Sequence, residues 1–321
     1  GCASGTDALL LALMALDLGP GDEVITTPFS FFATASCVTR LGATPVFADV
    51  MPDSCNIDPK EVLRKVTPRT KAVIPVHLFG QMSRVEEFAP RLVEKGISII
   101  EDCAQAIGST RSVDGKIRRA GAVGELGCFS FFPTKNLGCF GDGGLISLSS
   151  ERLDRRLRSL RAHGSGEQYF HDEVGLNSRL DELQAAILRV RLRHLETWNE
   201  ERRLVAERYR ILFAEQDLGE WVTPPLEEKG NRHIYHQYVI RCRSRDLLKE
   251  NLAGRGITTR IYYPLSLHLQ PCFSYLGYGR GDMPVSENLT EEVLALPIFP
   301  ELEPGEQEQV VQAISDFYHR R

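Results

Sequence analysis

Short apolar runs alternate with amphipathic stretches along the first two-thirds of the chain. Glycine or proline follows most of these stretches. The pattern predicts strands at residues 23–27, 44–49, 71–77, 97–102, 126–132 and 145–148, and helices at residues 8–18, 59–66 and 84–95. Strands that alternate with crossover helices indicate an α/β fold with a largely parallel, buried sheet.

The last third follows a different pattern. A long helix is predicted over residues 178–215, and the SRLD segment at residues 178–181 resembles a capping box at its start. Beyond it the pattern predicts strands at residues 235–242 and 258–263, and helices at residues 246–255, 291–294 and 304–318. We therefore predict a large domain over residues 1–208 and a smaller C-terminal α/β domain over residues 209–321.

Composition narrows the class of protein. The chain has 321 residues, of which 42% are hydrophobic and 25% are charged, as in an ordinary globular protein. This balance argues against a disordered chain, a collagen-like fibre and a coiled coil. The net charge of −5 gives no reason to expect nucleic acid or an anionic membrane as a partner. No apolar run reaches the roughly 20 residues that cross a bilayer.

The cysteines and the chain start lead to two further expectations. The eight cysteines are scattered and form no CxxC pair, which is typical of reduced, buried thiols in a cytoplasmic protein. The chain begins at Gly1 and enters a helical pattern within a few residues. We therefore expect that the natural N-terminus, with any targeting peptide, is missing.

Polar residues that could carry chemistry follow the predicted strands. Asp102 and Gln105 follow one strand, Ser130 and Lys135 follow another, and the GTD tripeptide at residues 5–7 begins the first helix. Ligands bind at the carboxyl ends of parallel strands, and a helix N-terminus favours phosphate. A lysine, a carboxylate and a phosphate cradle are what pyridoxal phosphate needs.

The same residues also have ordinary interpretations. A lysine in a loop is usually solvated, an aspartate after a strand is often a turn residue, and Ser130 lies where a strand residue alternates out of the sheet. The pair His233 and His236 could suggest a metal site, but on a strand this spacing does not place both rings on one face. We predict no metal site. The residues alone leave the cofactor and the ordinary interpretations open.

Several motifs in a fixed order decide between them. They are SGTDAL at residues 4–9, EDCAQ at 101–105, FSFFPTKNLG at 129–138, GDGG at 141–144, GLNSRLD at 175–181 and YP at 263–264. Together they resemble the DegT/DnrJ/StrS family of pyridoxal-phosphate sugar aminotransferases. The resemblance spans essentially the whole chain. It implies fold type I, the aspartate-aminotransferase fold.

The resemblance implies a role for each motif residue around the cofactor. Lys135 would be the Schiff-base lysine, Asp102 the partner of the pyridinium nitrogen, and Gln105 a contact of the ring or its hydroxyl. The phosphate would be held by Ser130 together with the backbone of Gly5 and Thr6.

Two more roles follow from the resemblance. Phe31 matches the aromatic residue that stacks on the cofactor ring, and an ordinary core position is the alternative for it. Asn177 matches a residue that reaches the phosphate of the neighbouring subunit, and the alternative is an asparagine that merely caps the helix. The active-site role of Asn177 implies a homodimer with shared active sites.

The implied reaction moves an amino group from a donor, expected to be glutamate, to a keto group of a nucleotide-linked sugar. One alternative is an aminotransferase for a small amino acid and keto acid, which would use a dedicated arginine. No spacing singles out one arginine among Arg241, Arg243, Arg245, Arg255 and Arg260. A second alternative is a non-catalytic regulatory member of the family. The pair of Lys135 and Asp102 argues against that alternative, because a regulator needs no electron sink.

Overall fold

The computed structural model describes residues 1–167 and 169–319 and has the alternating α/β character that the sequence predicts. The helices are α1 Gly5–Ala15, α2 Ala33–Arg40, α3 Pro59–Lys65, α4 Ala89–Val93, α5 Glu151–Leu160, α6 Glu182–Arg191, α7 Leu195–Glu215, α8 Arg245–Gly254, α9 Pro284–Glu292 and α10 Pro304–His319. Within the described ranges, no helix combines the length and the apolar character that a membrane crossing requires.

Six strands form the central sheet. All strands of the described part of the chain, inside and outside this sheet, are β1 Glu23–Thr26, β2 Thr44–Phe47, β3 Thr70–Ile74, β4 Ser98–Asp102, β5 Thr110–Val113, β6 Lys116–Arg119, β7 Leu126–Ser130, β8 Gly144–Leu148, β9 Ser165–Glu167, β10 Phe170–His171, β11 Val222–Thr223, β12 Asn231–Arg232, β13 Tyr238–Cys242 and β14 Val293–Leu296. The central sheet has the order β2-β1-β3-β4-β7-β8. Its first five strands pair in parallel, and β8 runs antiparallel to β7 at the edge.

Apolar layers cover both faces of this sheet. On one face the all-round apolar helix α1 packs with α2 and α5 against Val24, Ile74 and Ile100. On the other face α3 and α4 pack against residues such as Ile25 and Val73. Burial on both faces explains why the parallel strands have continuous apolar sequences. The carboxyl ends of β4 and β7 lie side by side because these two strands are parallel neighbours in the sheet.

The C-terminal part has its own apolar core. Strands β11, β13 and β14 form a small antiparallel sheet that packs against α7, α8 and α10. Tyr209 of α7 and Tyr238 of β13 stack inside this core with ring centroids 4.9 Å apart. The predicted boundary between residues 208 and 209 falls inside α7, and the two-domain division stays a prediction.

Four predicted elements differ from the structure. The predicted helix at residues 178–215 begins only at Glu182 and is interrupted by a 3₁₀ turn at Leu192–His194. The predicted helix at residues 84–95 is reduced to a 3₁₀ turn and α4, because Pro90 has no N–H and its ring clashes with a preceding helical turn. Residues 258–263 contribute only a single bridge at Arg260, and the predicted helix at residues 291–294 is replaced by the end of α9 and the start of β14.

Candidate active site

A cavity of about 470 Å³ lies at the carboxyl ends of β4 and β7. Every predicted site residue except Asn177 lines it, and these residues are Gly5, Thr6, Phe31, Asp102, Gln105, Ser130 and Lys135. The volume is in the range of small-molecule sites. The structure therefore brings together residues that are more than a hundred positions apart in the sequence.

Asp102, the last residue of β4, is buried in the wall of this cavity. The Thr34 hydroxyl donates to its Oδ2 at 2.9 Å, and the Ala104 N–H donates to Oδ1 at 3.1 Å. Ser30 lies 3.0 Å from the Thr34 oxygen, and since the Thr34 proton is used on Asp102, Ser30 is the donor in that pair. Burial raises the pKa of Asp102, while the two hydrogen bonds and the charge of Lys135 oppose that rise.

Lys135 lies in the loop after β7, within the electrostatic influence of Asp102. Burial lowers the pKa of its amine to about 8, although the negative charge of Asp102 favours the protonated form. The neutral amine is therefore accessible near neutral pH. A neutral lysine amine is a nucleophile and a proton acceptor, which the ammonium form is not.

The start of α1 forms the far end of the cavity. Ser4 caps the helix by accepting a hydrogen bond from the Asp7 N–H at 3.0 Å, and the first-turn N–H groups of a helix have no intrahelical acceptor. A Cβ on Gly5 would lie 2.6 Å from the Cβ of Ser130, so only glycine allows this close approach. The Ser130 Oγ accepts from the Phe132 N–H at 3.3 Å, which leaves its own proton free for an anion. This end of the cavity suits a phosphate group.

Gln105 is held in one orientation. Its Oε1 accepts a hydrogen bond from the Phe79 N–H at 2.7 Å, and its Nε2 lies 3.2 Å from the hydroxyl of Tyr263. Because the backbone N–H fixes which end is the oxygen, the amide N–H groups point toward the Tyr263 side. Tyr263 comes from the C-terminal part of the chain, so this bond joins both parts of the chain at the cavity.

Phe31 and Asn177 are both exposed but occupy different places. The side chain of Phe31 is 60% exposed and lines the cavity just before α2, which argues against the alternative of a core aromatic. Asn177 pairs with Ala162 in an isolated bridge and lies outside the cavity lining. It does not cap a helix, since α6 begins at Glu182 and Ser178 uses its hydroxyl on Asp7.

The sequence did not single out several residues that line or support the cavity. Thr34, Tyr262 and Gln237 are among them. His236, which the sequence suggested only as a possible metal ligand, also lines the cavity, and its Nδ1 lies 3.0 Å from the Oδ1 of Asn136. Burial and the charge of Lys135 lower the pKa of His236 well below its usual value, so the ring is neutral. Asn136 directly follows Lys135 in the sequence, and this adjacency is the signal that could have indicated a supporting role for its side chain.

A buried cluster beside Asp102 combines His77, Glu101 and Cys103 and has the composition of a metal site. The ring nitrogens of His77 and the carboxylate of Glu101 are already hydrogen-bonded. The Nδ1 of His77 accepts from the Ser83 N–H at 3.0 Å, so its Nε2 donates to Glu101 at 2.8 Å. Glu101 also accepts from the backbone N–H groups of Gly121, Val123 and Gly124. Burial raises the pKa of Glu101, but these bonds outweigh burial and keep its pKa low, so the cluster braces the end of β4.

Comparisons with known proteins agree with this geometry. Residues 1–315 match the DegT/DnrJ/EryC1/StrS aminotransferase family. The chain is 50% identical to the "Pleiotropic regulatory protein" of Geobacillus stearothermophilus, covering 99% of this chain and 84% of that protein. It is 45% identical to the UDP-N-acetyl-3-dehydro-alpha-D-glucosamine 3-aminotransferase of Acidithiobacillus ferrooxidans, again covering 99% and 84%.

A solved structure supports the same relationship. The crystal structure of DesV from S. venezuelae in complex with a ketimine intermediate has a TM-score of 0.93 and 40% identity, covering 98% of this chain and 83% of that one. The predicted fold class is thereby confirmed, and so is the resemblance that the sequence motifs indicated. The chain belongs to the DegT/DnrJ/EryC1/StrS aminotransferase family.

Proposed function

We propose that this protein is a pyridoxal-phosphate aminotransferase that transfers an amino group from glutamate to a keto group of a nucleotide-linked sugar. The observation that carries the proposal is the single cavity that holds Lys135, Asp102 and the start of α1. A lysine with a pKa near 8, a buried carboxylate and an anion cradle are chemically matched to this cofactor.

Each of these residues has one task toward the cofactor, which supplies an aldehyde carbon and a ring that stores electron density. The first turn of α1 and the Ser130 hydroxyl would bind the phosphate. Asp102 would pair with the ring nitrogen and keep it protonated, and Thr34 and Ala104 fix the orientation of its carboxylate. Phe31 would stack on the ring.

Lys135 has two tasks that follow from its lowered pKa. Its neutral amine would condense with the cofactor aldehyde, with loss of water. Once the amino donor has taken its place, the free amine would accept a proton from the α-carbon of the donor and return it to the bound cofactor. One side chain therefore serves as the anchor and as the general base and acid.

Support for the sugar substrate comes from the relatives. The protein from Acidithiobacillus ferrooxidans is named for a UDP-linked keto-sugar, and a Streptomyces venezuelae relative with 40% identity is a dTDP-3-amino-3,4,6-trideoxy-alpha-D-glucose transaminase. We test the substrate with a panel of UDP- and dTDP-linked amino sugars, assayed in reverse with 2-oxoglutarate as acceptor. Conversion of at least one of them supports the proposal, and conversion of small amino acids alone contradicts it.

A regulatory role is the second candidate, because a relative with 50% identity has a regulatory name. The buried pair of Lys135 and Asp102 favours the enzyme. The two candidates differ in a simple property. The purified enzyme is expected to be yellow with bound cofactor and to bleach on addition of glutamate, whereas a non-catalytic regulator would keep its colour.

For the assembly we propose a homodimer in which Asn177 reaches the phosphate of the neighbouring subunit. Asn177 is exposed. Phe132, which lines the cavity, is 48% exposed, and Phe140 and Leu183 are 75% and 70% exposed. Apolar side chains of this size, exposed beside a functional site, are typical of a surface that another chain covers.

Mixing two inactive variants tests the shared site. Chains with Lys135→Ala and chains with Asn177→Ala are each expected to be impaired. After subunit exchange, a mixed dimer would contain one site that lacks both groups and one intact site, so part of the activity is expected to return. No recovery after verified exchange would contradict the dimer proposal.

We also propose a reducing, cytoplasmic location. All eight cysteines are free thiols, and only Cys272 is exposed. An oxidising compartment usually selects disulfides.

A further inference from the structure

The arginines of the C-terminal part differ sharply in their surroundings. Four of the five have an acidic partner: Arg241 with Asp53 at 3.8 Å, Arg243 with Glu220 at 3.2 Å, Arg245 with Asp246 at 2.7 Å, and Arg255 with Asp316 at 2.9 Å. Arg260 has no acidic partner among residues 1–167 and 169–319. Its backbone pairs with Ala295, which fixes the position from which its side chain extends.

Arg260 lines a groove of about 240 Å³ that adjoins the cavity lined by Lys135. The two spaces share four lining residues: Thr134, His236, Gln237 and Tyr262. No aspartate or glutamate lines the groove in the described part of the chain. A ligand in the lysine cavity would therefore find a positively charged extension beside it.

A second guanidinium, that of Arg202 in α7, lines the same groove. Arg202 of α7 is 9% exposed, and its Nη1 donates to the carbonyl oxygens of Tyr235, His236 and Ile298 at 3.2–3.3 Å. Its Nε has no hydrogen-bond partner in the part of the chain that the structure describes. Burial lowers the pKa of Arg202 to about 10, and Glu301 opposes this only from a distance.

A buried guanidinium held by carbonyls, without a carboxylate in contact, is costly for a folded protein. Proteins usually compensate such a charge with an anion, and a guanidinium fork matches carboxylate and phosphate oxygens. The uncompensated positive charge of the groove is therefore complementary to an anionic group of a ligand.

We propose that Arg260 and Arg202 form an anion subsite that holds an acidic group of a substrate while its reacting end lies beside Lys135. The anion is either the carboxylate of the amino donor or the diphosphate of the nucleotide-linked sugar. The proposal rests on the proposed aminotransferase function and names the part of the protein that recognises substrate charge.

The exposed Arg260 is the residue to change, since its substitution leaves the core intact. Arg260→Gln removes the charge, Arg260→Lys keeps the charge without the fork, and Arg255→Gln is the matched control on the same part of the chain. Two measurements separate the sources of the anion. One is the glutamate concentration that half-saturates bleaching of the cofactor, and the other is the Kd of UDP and dTDP by calorimetry.

If the donor carboxylate binds here, Arg260→Gln raises the half-saturating glutamate concentration about tenfold or more and leaves the nucleotide Kd unchanged. If the diphosphate binds here, the nucleotide Kd rises by that factor and the glutamate response is unchanged. Arg260→Lys is expected to fall between the wild type and Arg260→Gln, and Arg255→Gln to match the wild type.

The subsite is overturned if Arg260→Gln changes neither quantity by more than about twofold, or if Arg255→Gln has the same effect as Arg260→Gln. Failure of the enzyme proposal would look different, because then the wild-type protein itself would not bleach with glutamate. The calorimetric measurement of the nucleotide Kd does not depend on turnover.

Discussion

The lowered pKa of Lys135 makes a quantitative prediction for covalent capture of the cofactor. With a pKa of about 8, about one-tenth of the amine is neutral at pH 7. An ordinary lysine with a pKa of about 10.4 would be neutral in only about one molecule in 2,500. The reactive form is thus about two-hundredfold more abundant than in an exposed lysine.

The assay is the rate of the absorbance change when pyridoxal phosphate is added to cofactor-free protein at a series of pH values. The rate is expected to rise about fiftyfold between pH 6 and pH 8 and to level off above pH 9, because the neutral fraction follows a single titration with its midpoint near 8. Lys135→Ala is expected to show no such covalent change.

Substitution of Asp102 tests the direction in which its charge shifts the pKa of Lys135. Its negative charge raises the pKa of Lys135 and so partly offsets the effect of burial. Asp102→Asn removes that charge, so the midpoint of the rate profile is expected to move to lower pH. A wild-type rate that still climbs at pH 10, or a midpoint that moves upward in Asp102→Asn, would refute the reasoning about burial.

Three further substitutions test the remaining parts of the site. Asp102→Asn is expected to lower turnover at least about a hundredfold, as loss of one preorganised charge usually does, and unchanged steady-state turnover would count against its role. Thr34→Val removes a hydrogen bond from the buried carboxylate and should raise its pKa further. Since a raised carboxyl pKa gives stability below the unfolded pKa that is lost as the pH rises, denaturation of the cofactor-free variant should show a larger loss than wild type as the pH rises above about 4. Thr34→Ser is the control, and parallel pH profiles for all three proteins would contradict the role of the hydroxyl. Gly5→Ala places a Cβ against Ser130 and is expected to weaken cofactor binding about tenfold in an equilibrium titration. Wild-type affinity in this variant would contradict phosphate binding at the start of α1.

The sequence predicted the strand-end residues well because their positions follow from chain topology. Asp102 and Ser130 end neighbouring strands, and neighbouring parallel strands end at the same edge of the sheet. The start of α1 lies at the same edge, since Gly5 contacts Ser130. Local pattern and one general rule were enough to bring these residues together.

Residues supplied by distant segments were not predictable in this way. Thr34 reaches Asp102 from helix α2, and Tyr263 and Arg260 come from the C-terminal part, whose placement depends on packing that no local pattern reports. Arg202 illustrates the difficulty well. In the sequence it is one arginine in a charged helix. Only the structure shows that it is buried and that no carboxylate of the described residues contacts it.

Helix boundaries failed for two different physical reasons. Pro90 lies within the predicted helix at residues 84–95, so the sequence itself contains the signal for the break. The hydroxyl of Ser178 resembled a helix cap, but it accepts from the Ala3 N–H and donates to Asp7 instead. That competition comes from residues more than 170 positions away, and no local signal reveals it.

The central claim is that an amino group passes from glutamate to a nucleotide-linked sugar through Lys135. The most direct test follows isotopically labelled amino nitrogen from glutamate in the wild-type protein and in Lys135→Ala, with a UDP- or dTDP-linked keto-sugar as acceptor and mass spectrometry as the readout. The account predicts that the label appears in the nucleotide-linked amino sugar with the wild type and not with Lys135→Ala. Label that reaches only small keto acids, or an equal yield with Lys135→Ala, would contradict it.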